Sequence, residues 1–428
     1  MSGWLVPRAA LTAEQLRAVE MPADRHRVLS GGPGSGKTLV LLHRARHLAD
    51  TLRVPEGRFL VLVYTNALAS FLRASLADLG IPESAVRTFD DWCAGHYERH
   101  VSPTRPFRSN GHTPDFAAIR AAVLAEVRAH PRREPLYDFV LVDEGQDLDP
   151  GVFETLAAVS AHVTVALDPR QQIYEGGARE AEILPALGIP SRSVALLENW
   201  RCSPFVSSLA ARFVRGGEER EAFLLQARST RGEKEKPLLY LASGSGDELH
   251  RLAEVARPRI LRGERVAVLL PDRRLVQRFA SGLHGLGVPV EVPHRYGEDG
   301  SPFPALDFAS DLVKVMPFHS AKGLTFDSVL LPRLRSADFH SRGEASLRRL
   351  LFVGITRATA WVYLATREGD PLPLLVEAGL LSGTPDLVVQ SHATHPAHPA
   401  APRARESRPD GLDQVPVLSP DDPLTGWM

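Results

Sequence analysis

Along the chain, short runs of nearly continuous apolar residues alternate with longer stretches whose apolar positions recur at helical spacing. The runs 27–29, 59–64, 139–142, 163–167, 266–270, 313–317, 328–331 and 361–365 predict strands. They lack polar alternation, as parallel strands buried on both faces do. Between them, 39–48, 67–79, 116–129 and 274–286 predict amphipathic helices. The strand–helix rhythm occurs twice, which predicts an α/β protein with two doubly wound parallel sheets. It divides the chain into a first block, 1–192, with a short insert near 93–138, and a second block, 193–382. Polar segments at 215–221 and 230–236 read as surface loops of the second block. From 383 to 428 Pro, Ala, His and Ser dominate, so a disordered tail is expected there. Its last residues, 423–428, regain Leu and Trp and either fray or dock on a partner.

A length of 428 residues suits two domain cores rather than one. The 44% hydrophobic and 24% charged content is that of globular proteins, and the net charge of −1 gives no global basic field. A nucleic-acid partner would therefore need a local basic groove. Cys93 and Cys202 are too few for a disulfide framework or a zinc ribbon, and the cytosol is the expected compartment. Residues 1–10 hold no apolar core of a secretory signal, and no apolar run approaches the ~18 residues of a membrane-spanning helix. Cationic residues are mostly arginine, and the lysines are Lys37, Lys234, Lys236, Lys314 and Lys322. A lysine inside a glycine-rich loop is conspicuous in such a chain.

That lysine lies in Gly31-Gly-Pro-Gly34-Ser-Gly36-Lys37-Thr38, which fits the phosphate-loop pattern between a short strand and an amphipathic helix. The glycines let backbone N–H groups turn inward around phosphates, and the helix N-terminus adds its dipole. Lys37 can reach the β and γ phosphates of ATP, and Thr38 can ligate Mg²⁺. A second pattern, Phe139-Val-Leu-Val-Asp143-Glu144-Gly-Gln-Asp147, ends an apolar strand in carboxylates at the sheet edge where nucleotide sites form. Asp143 can hold the metal, and Glu144 can polarise the attacking water.

With these motifs in place, the chain resembles the UvrD/Rep-like superfamily 1A helicases from about residue 11 to 364. Leu11-Thr-Ala-Glu-Gln15 looks like the family's Q motif, whose glutamine reads adenine. Val63-Tyr64-Thr65-Asn66 and Thr88-Phe89 are similar to the motifs that face nucleic acid. Asp143 to Asp147 matches motif II. Leu167-Asp168-Pro-Arg-Gln171-Gln-Ile-Tyr174 resembles motif III, in which the glutamine senses the γ-phosphate and the tyrosine stacks a base. Asn199-Trp200-Arg201 resembles motif IV, with an aromatic against adenine and an arginine on the phosphates. His319-Ser-Ala-Lys322-Gly-Leu-Thr325-Phe resembles motif V, at the nucleic acid. The stretch 349–358 resembles motif VI, whose arginine, Arg357, completes the ATP site. The resemblance implies two RecA-like domains with ATP in the cleft between them and 3′→5′ movement on single-stranded DNA. If Arg201 and Arg357 both reach the γ-phosphate, binding closes the cleft and hydrolysis releases it. Tyr64 and Tyr174 can grip bases by stacking, which is indifferent to sequence.

The pattern departs from the family at several places. Ala67 stands where motif Ia usually has lysine, Asp90 where histidine follows motif Ib, and Thr325 where a glutamate contacts ribose. Residues 93–138 and 202–312 leave little room for the accessory subdomains that engage duplex. Three readings therefore remain open: a DNA translocase or helicase, an RNA-directed remodeler, and a nucleotide-dependent switch or motor subunit of a larger complex. The tail histidines His392, His395 and His398 are regularly spaced, but His/Pro tracts of this kind are usually compositional.

Overall fold

The computed structural model describes residues 5–76, 79–108, 114–131, 133–168, 171, 177–199, 201–227, 235–293, 306–308, 310–339 and 342–394. Tyr174, Trp200, His395 and His398 lie outside them.

The first sheet contains β1 (Arg27–Gly31), β2 (Phe59–Val63), β3 (Val86–Thr88), β4 (Phe139–Val142), β5 (Val163–Leu167) and β6 (Val194–Leu196), in the order β3-β2-β4-β5-β1-β6. All its pairings are parallel. The second contains β7 (Leu238–Ala242), β8 (Val266–Leu270), β9 (Val290–Glu291), β10 (Val313–Pro317), β11 (Phe326–Leu331), β12 (Ala358–Arg367) and β13 (Val388–Ser391). Its order is β13-β7-β12-β11-β8-β10-β9, again all parallel. Two parallel sheets flanked by helices make this a mixed α/β chain of the two-RecA-like type. The continuous apolar strands are buried end to end: every residue of β2, β4, β5, β8 and β10 is inaccessible or nearly so.

Some strands carry a weaker sequence signal. β6 has three residues, only one of them fully buried, and it joins the first sheet just past residue 192. β13 pairs with β7 inside the stretch whose composition led to the expectation of a tail. Val388 and Val389 supply its β-propensity, and the open edge of β7 supplies its partner.

Strand order decides which loops meet. β5 lies between β1 and β4, so the turns after all three strands share the C-terminal edge of the first sheet, where parallel α/β sheets bind ligands. Two helices flank β1: α1 (Ala13–Val19) precedes it, and α2 (Lys37–Leu52) leaves the loop after it. A third, α3 (Asn66–Leu76), follows β2. The expected insert consists of the helices Phe89–His100 and Phe116–Ala129. Trp92, Cys93, Ile119 and Val123 of these helices bury with Val140 and Val142 of β4, so they belong to the core of the first block.

The two blocks touch through apolar and polar contacts alike. Phe71 of α3 meets Phe308 edge-on at 5.1 Å between ring centroids. A Cβ added at Gly323, which has φ +79, would fall 2.6 Å from Leu68 Cδ2 of α3. Among the described residues, no helix is long and apolar enough to cross a membrane.

Arg44, on α2, is wholly buried and ties that helix to the end of α1. Its guanidinium donates to the carbonyls of Val19 at 3.0 Å and Met21 at 2.7 Å, and to Thr164 Oγ1 at 3.0 Å. Burial, then the charge of Arg27, brings its pKa down to about 10, so it stays charged at neutral pH. Arg44→Leu strands several buried acceptors at once and is expected to cost about 2–4 kcal/mol. Urea denaturation followed by circular dichroism measures this, and an unchanged midpoint would mean that the acceptors find other donors.

Candidate nucleotide site

The loop after β1 is shaped by glycines that no other residue could replace without strain. Gly34 and Gly36 have φ of +77 and +86, and both lie against other motifs. A Cβ at Gly34 would come 2.2 Å from Asn199 Oδ1 and 2.5 Å from Arg201 Cβ, and one at Gly36 would come 2.5 Å from Gln15 Nε2. Gln15 is held on two sides: its Oε1 accepts from Thr12 N at 3.0 Å in a capping box, and its Nε2 donates to Ser35 O at 3.1 Å. It is thereby fixed to the loop itself.

Lys37 opens α2 and is folded onto its own loop. Its ammonium donates to the carbonyls of Gly31 at 2.9 Å and Gly32 at 3.1 Å, and lies 3.8 Å from Asp168. Beside it, the Thr38 hydroxyl donates to Asp143 Oδ2 at 2.6 Å. These two adjacent oxygens, one of them a carboxylate, are the hard donor set that suits Mg²⁺, which takes few protein ligands and keeps water or phosphate on the rest. Ser35 Oγ and Asn199 Nδ2 are buried beside this loop with no hydrogen-bond partner among the described residues. Buried polar atoms left open in this way fit an anionic ligand in the loop.

The turn after β4 is strained. Glu144 has φ +53, a left-handed conformation unusual for a non-glycine residue. Its N–H donates to Asp143 Oδ1 at 3.0 Å, and Gln146 Nε2 donates to its Oε2 at 2.6 Å. The next residue is glycine by necessity, since a Cβ at Gly145 would fall 2.4 Å from Val165 Cγ1 of β5. Burial opposes ionisation of Glu144, but Lys322, Lys37 and Arg357 outweigh it and hold the carboxyl below its ordinary value. Asp143 moves the other way, raised first by burial and then by the charge of Glu144.

A chain of contacts runs from this turn into the second block. Gln171 Nε2 donates to Asp168 Oδ2 at 2.7 Å, and Arg357 Nη2 donates to Gln171 Oε1 at 2.7 Å. Arg357 also donates to the carbonyls of Val353 at 3.0 Å and Leu324 at 3.4 Å. Burial, then the charge of Arg201, lowers its pKa to about 10. Arg201 is likewise lowered by burial, with the carboxylates of Glu144, Asp143 and Asp168 acting against the shift. Lys37, Lys322 and Arg357, all buried, and the half-buried Arg201 thus face Asp143, Glu144, Asp147 and Asp168 in one cluster drawn from both blocks.

The residues read as facing nucleic acid come from both blocks. Tyr64, Thr65 and Asn66 follow β2, and Thr88 ends the neighbouring β3. Tyr64 is half-buried against the core of the first block, and Asn66 is exposed. The hydroxyls of Thr65 and Thr88 accept from Leu68 N at 3.1 Å and Asp91 N at 3.2 Å, each opening a helix. His319 lies in the short 3-10 helix Phe318–Ala321, which touches α3 across the block boundary. Burial, then the charges of Arg342 and Arg273, brings its pKa down to about 4, so it is neutral at pH 7.

Sequence reasoning assigned no role to Asp147, Asp168, Asn199 or Lys322. Asp168, Asp147, Asn199 and Lys322 all sit inside quoted motifs, which is the signal that could have found them. Their partners lie 150 or more residues away in places, and nothing local signals that.

A family model described as an AAA domain matches residues 15–177, and one described as a UvrD-like helicase C-terminal domain matches residues 312–365. Among solved structures, the C-terminal domain of a possible DNA helicase from Lactobacillus plantarum WCFS1 is similar at 15% identity and a TM-score of 0.34. That similarity covers 44% of this chain and 98% of the other. The comparison with curated proteins finds no significant match.

Proposed function

We propose that the chain is a UvrD-like helicase, an ATP-dependent motor that moves 3′→5′ along single-stranded DNA, a reading supported by the AAA-domain match over 15–177 and the UvrD-like helicase C-terminal match over 312–365. The observation that carries this reading is the contact of Arg357 in the second block with Gln171 in the first, beside Lys37, Thr38, Asp143 and Glu144. An enzyme that only bound nucleotide on one block would have no use for a buried arginine delivered by the other.

In this reading Lys37 exchanges the carbonyls of Gly31 and Gly32 for the β and γ phosphates of ATP. Thr38 and Asp143 would hold Mg²⁺, which when bound neutralises charge on those phosphates. Glu144 accepts the proton of the attacking water, and Gln171 orients that water. Arg201 and Arg357 stabilise the charge that develops on the γ-phosphoryl group. Gln15 and Trp200 hold the adenine. Loss of the γ-phosphate removes the anion that both arginines share with Lys37, so the blocks part. Tyr64, Thr65, Asn66, Thr88, Tyr174 and His319 grip the strand, and alternation of grip between the blocks is translocation.

A second reading is favoured by two features: the helices Phe89–His100 and Phe116–Ala129 pack into the first block's core, and only 21 residues, 292–312, separate β9 from β10. Little chain is left for accessory subdomains, which fits a motor subunit or nucleotide switch working with a partner. Steady-state ATP hydrolysis with and without single-stranded DNA or RNA separates the readings, with Glu144→Gln as inactive control. Strong stimulation by DNA is expected. Stimulation by RNA alone would redirect the motor to RNA, and hydrolysis indifferent to both polymers would move the assignment to the switch.

A further inference from the structure

Lys322 belongs to the second block, between the Phe318–Ala321 helix and β11, and its side chain is 1% exposed. It makes its polar contacts in the first block. The ammonium lies 2.5 Å from Asp147 Oδ2 and 3.9 Å from Glu144 Oε2, and donates to the backbone oxygen of Gln171. Asp147 has no other ion-pair partner among the described residues. We propose that Lys322 is a positioning residue that makes hydrolysis conditional on closure, because it reaches Asp147, Glu144 and the Gln171 carbonyl only while the second block is docked. The inference rests on the ATPase reading above.

Asp143, Glu144 and Asp147 stand within one turn, all buried, and Lys322 is the second-block cation seated against that turn, between Glu144 and Asp147. A base at Glu144 needs a fixed direction, and this cross-block contact holds the turn that carries it. The bond from Lys322 to the Gln171 carbonyl acts on the neighbouring loop, since it anchors the segment whose side chain meets Arg357. When the blocks part, the ammonium leaves with the second block, and the turn that carries Glu144 loses the contact that fixes it. Lys322 thereby differs from Arg201 and Arg357, whose role is on the phosphate. It acts through Glu144 and does not touch nucleotide.

The test compares Lys322→Met, Lys322→Arg and Lys322→Met combined with Asp147→Asn. ATP hydrolysis gives kcat and KM. Energy transfer between dyes at Leu52→Cys and Leu261→Cys, exposed positions on opposite blocks, reports closure, since Cys93 and Cys202 are buried. Lys322→Met is expected to lower kcat by about 30-fold or more with KM for ATP within about threefold, and to reduce energy transfer. Lys322→Arg should restore much of kcat, and Asp147→Asn in the methionine background should restore closure by removing the stranded charge. Unchanged kcat in Lys322→Met would overturn the proposal. So would a raised KM at constant kcat, which would place Lys322 on the nucleotide, or a dead Lys322→Arg with unaltered energy transfer, which would mean packing alone. If the unmodified chain hydrolyses no ATP, the ATPase reading fails. The energy-transfer arm then decides for Lys322 by itself, and equal transfer in all variants overturns the clamp.

Discussion

Glu144→Gln should reduce ATP hydrolysis by about a thousandfold while leaving nucleotide bound. The expectation follows from how little the substitution alters besides charge and basicity. Glu144 is buried, its Oε2 is held by Gln146 Nε2, and its backbone is fixed in a left-handed turn by Asp143 and by the closeness of Gly145 to β5. An amide fills the same volume in the same turn, but it cannot take a proton from water. Loss of a positioned general base typically costs about 10²–10⁴ in rate. In the proposed reading, binding depends instead on Lys37, Thr38 and the loop N–H groups, none of which the substitution touches. Single-turnover hydrolysis and titration with a fluorescent ATP analogue separate the two effects. A rate within tenfold of the unmodified chain would show that the base lies elsewhere, and equal loss of binding would show that the turn had collapsed.

The parts of this site that were legible in the sequence are those in which chemistry and spacing are local. Gly34, Gly36, Lys37 and Thr38 occur within five residues, and Asp143 and Glu144 follow an unmistakable apolar strand. The buried strands were legible for the same reason, because continuous apolar runs such as 139–142 and 163–167 have no other comfortable place. Edge elements were not. β3 and β6 are three residues long, β9 is two, and β13 lies in a segment of unpromising composition; each is defined more by the strand it joins than by its own residues. β7, Leu238–Ala242, is as apolar as any strand but is absent from the predicted strands, since it directly follows the Glu- and Lys-rich segment 230–236 read as a surface loop. Long-range polar contacts were the least legible. Arg44 looks like one more arginine on an amphipathic helix until its acceptors on α1 and β5 are seen, and Lys322 names no partner by its position. Motif order could place Arg357 at a nucleotide, but its partner Gln171, 186 residues earlier, needed the fold.

That partnership leads to the second large effect: Arg357→Ala should slow ATP hydrolysis by about 10³ or more, with a smaller loss of nucleotide affinity. An arginine that stabilises the charge of a transferring phosphoryl group contributes about 10³–10⁵ in rate. Arg357 is suited to that role because it is almost wholly buried yet, with its pKa lowered to about 10, still charged near neutral pH. Its Nε and Nη1 are anchored to the carbonyls of Val353 and Leu324, so the guanidinium is held in advance of the reaction. Lysine should rescue poorly, since it lacks the planar fork that those two carbonyls and Gln171 engage together. Gln171→Ala supplies the needed contrast: it removes the first-block partner of Arg357 but leaves the arginine, and should slow hydrolysis less. If both variants lose rate equally, Arg357 acts by docking the blocks. If Arg357→Ala is far slower at saturating ATP while Gln171→Ala keeps much of its rate, the guanidinium acts on the phosphate itself.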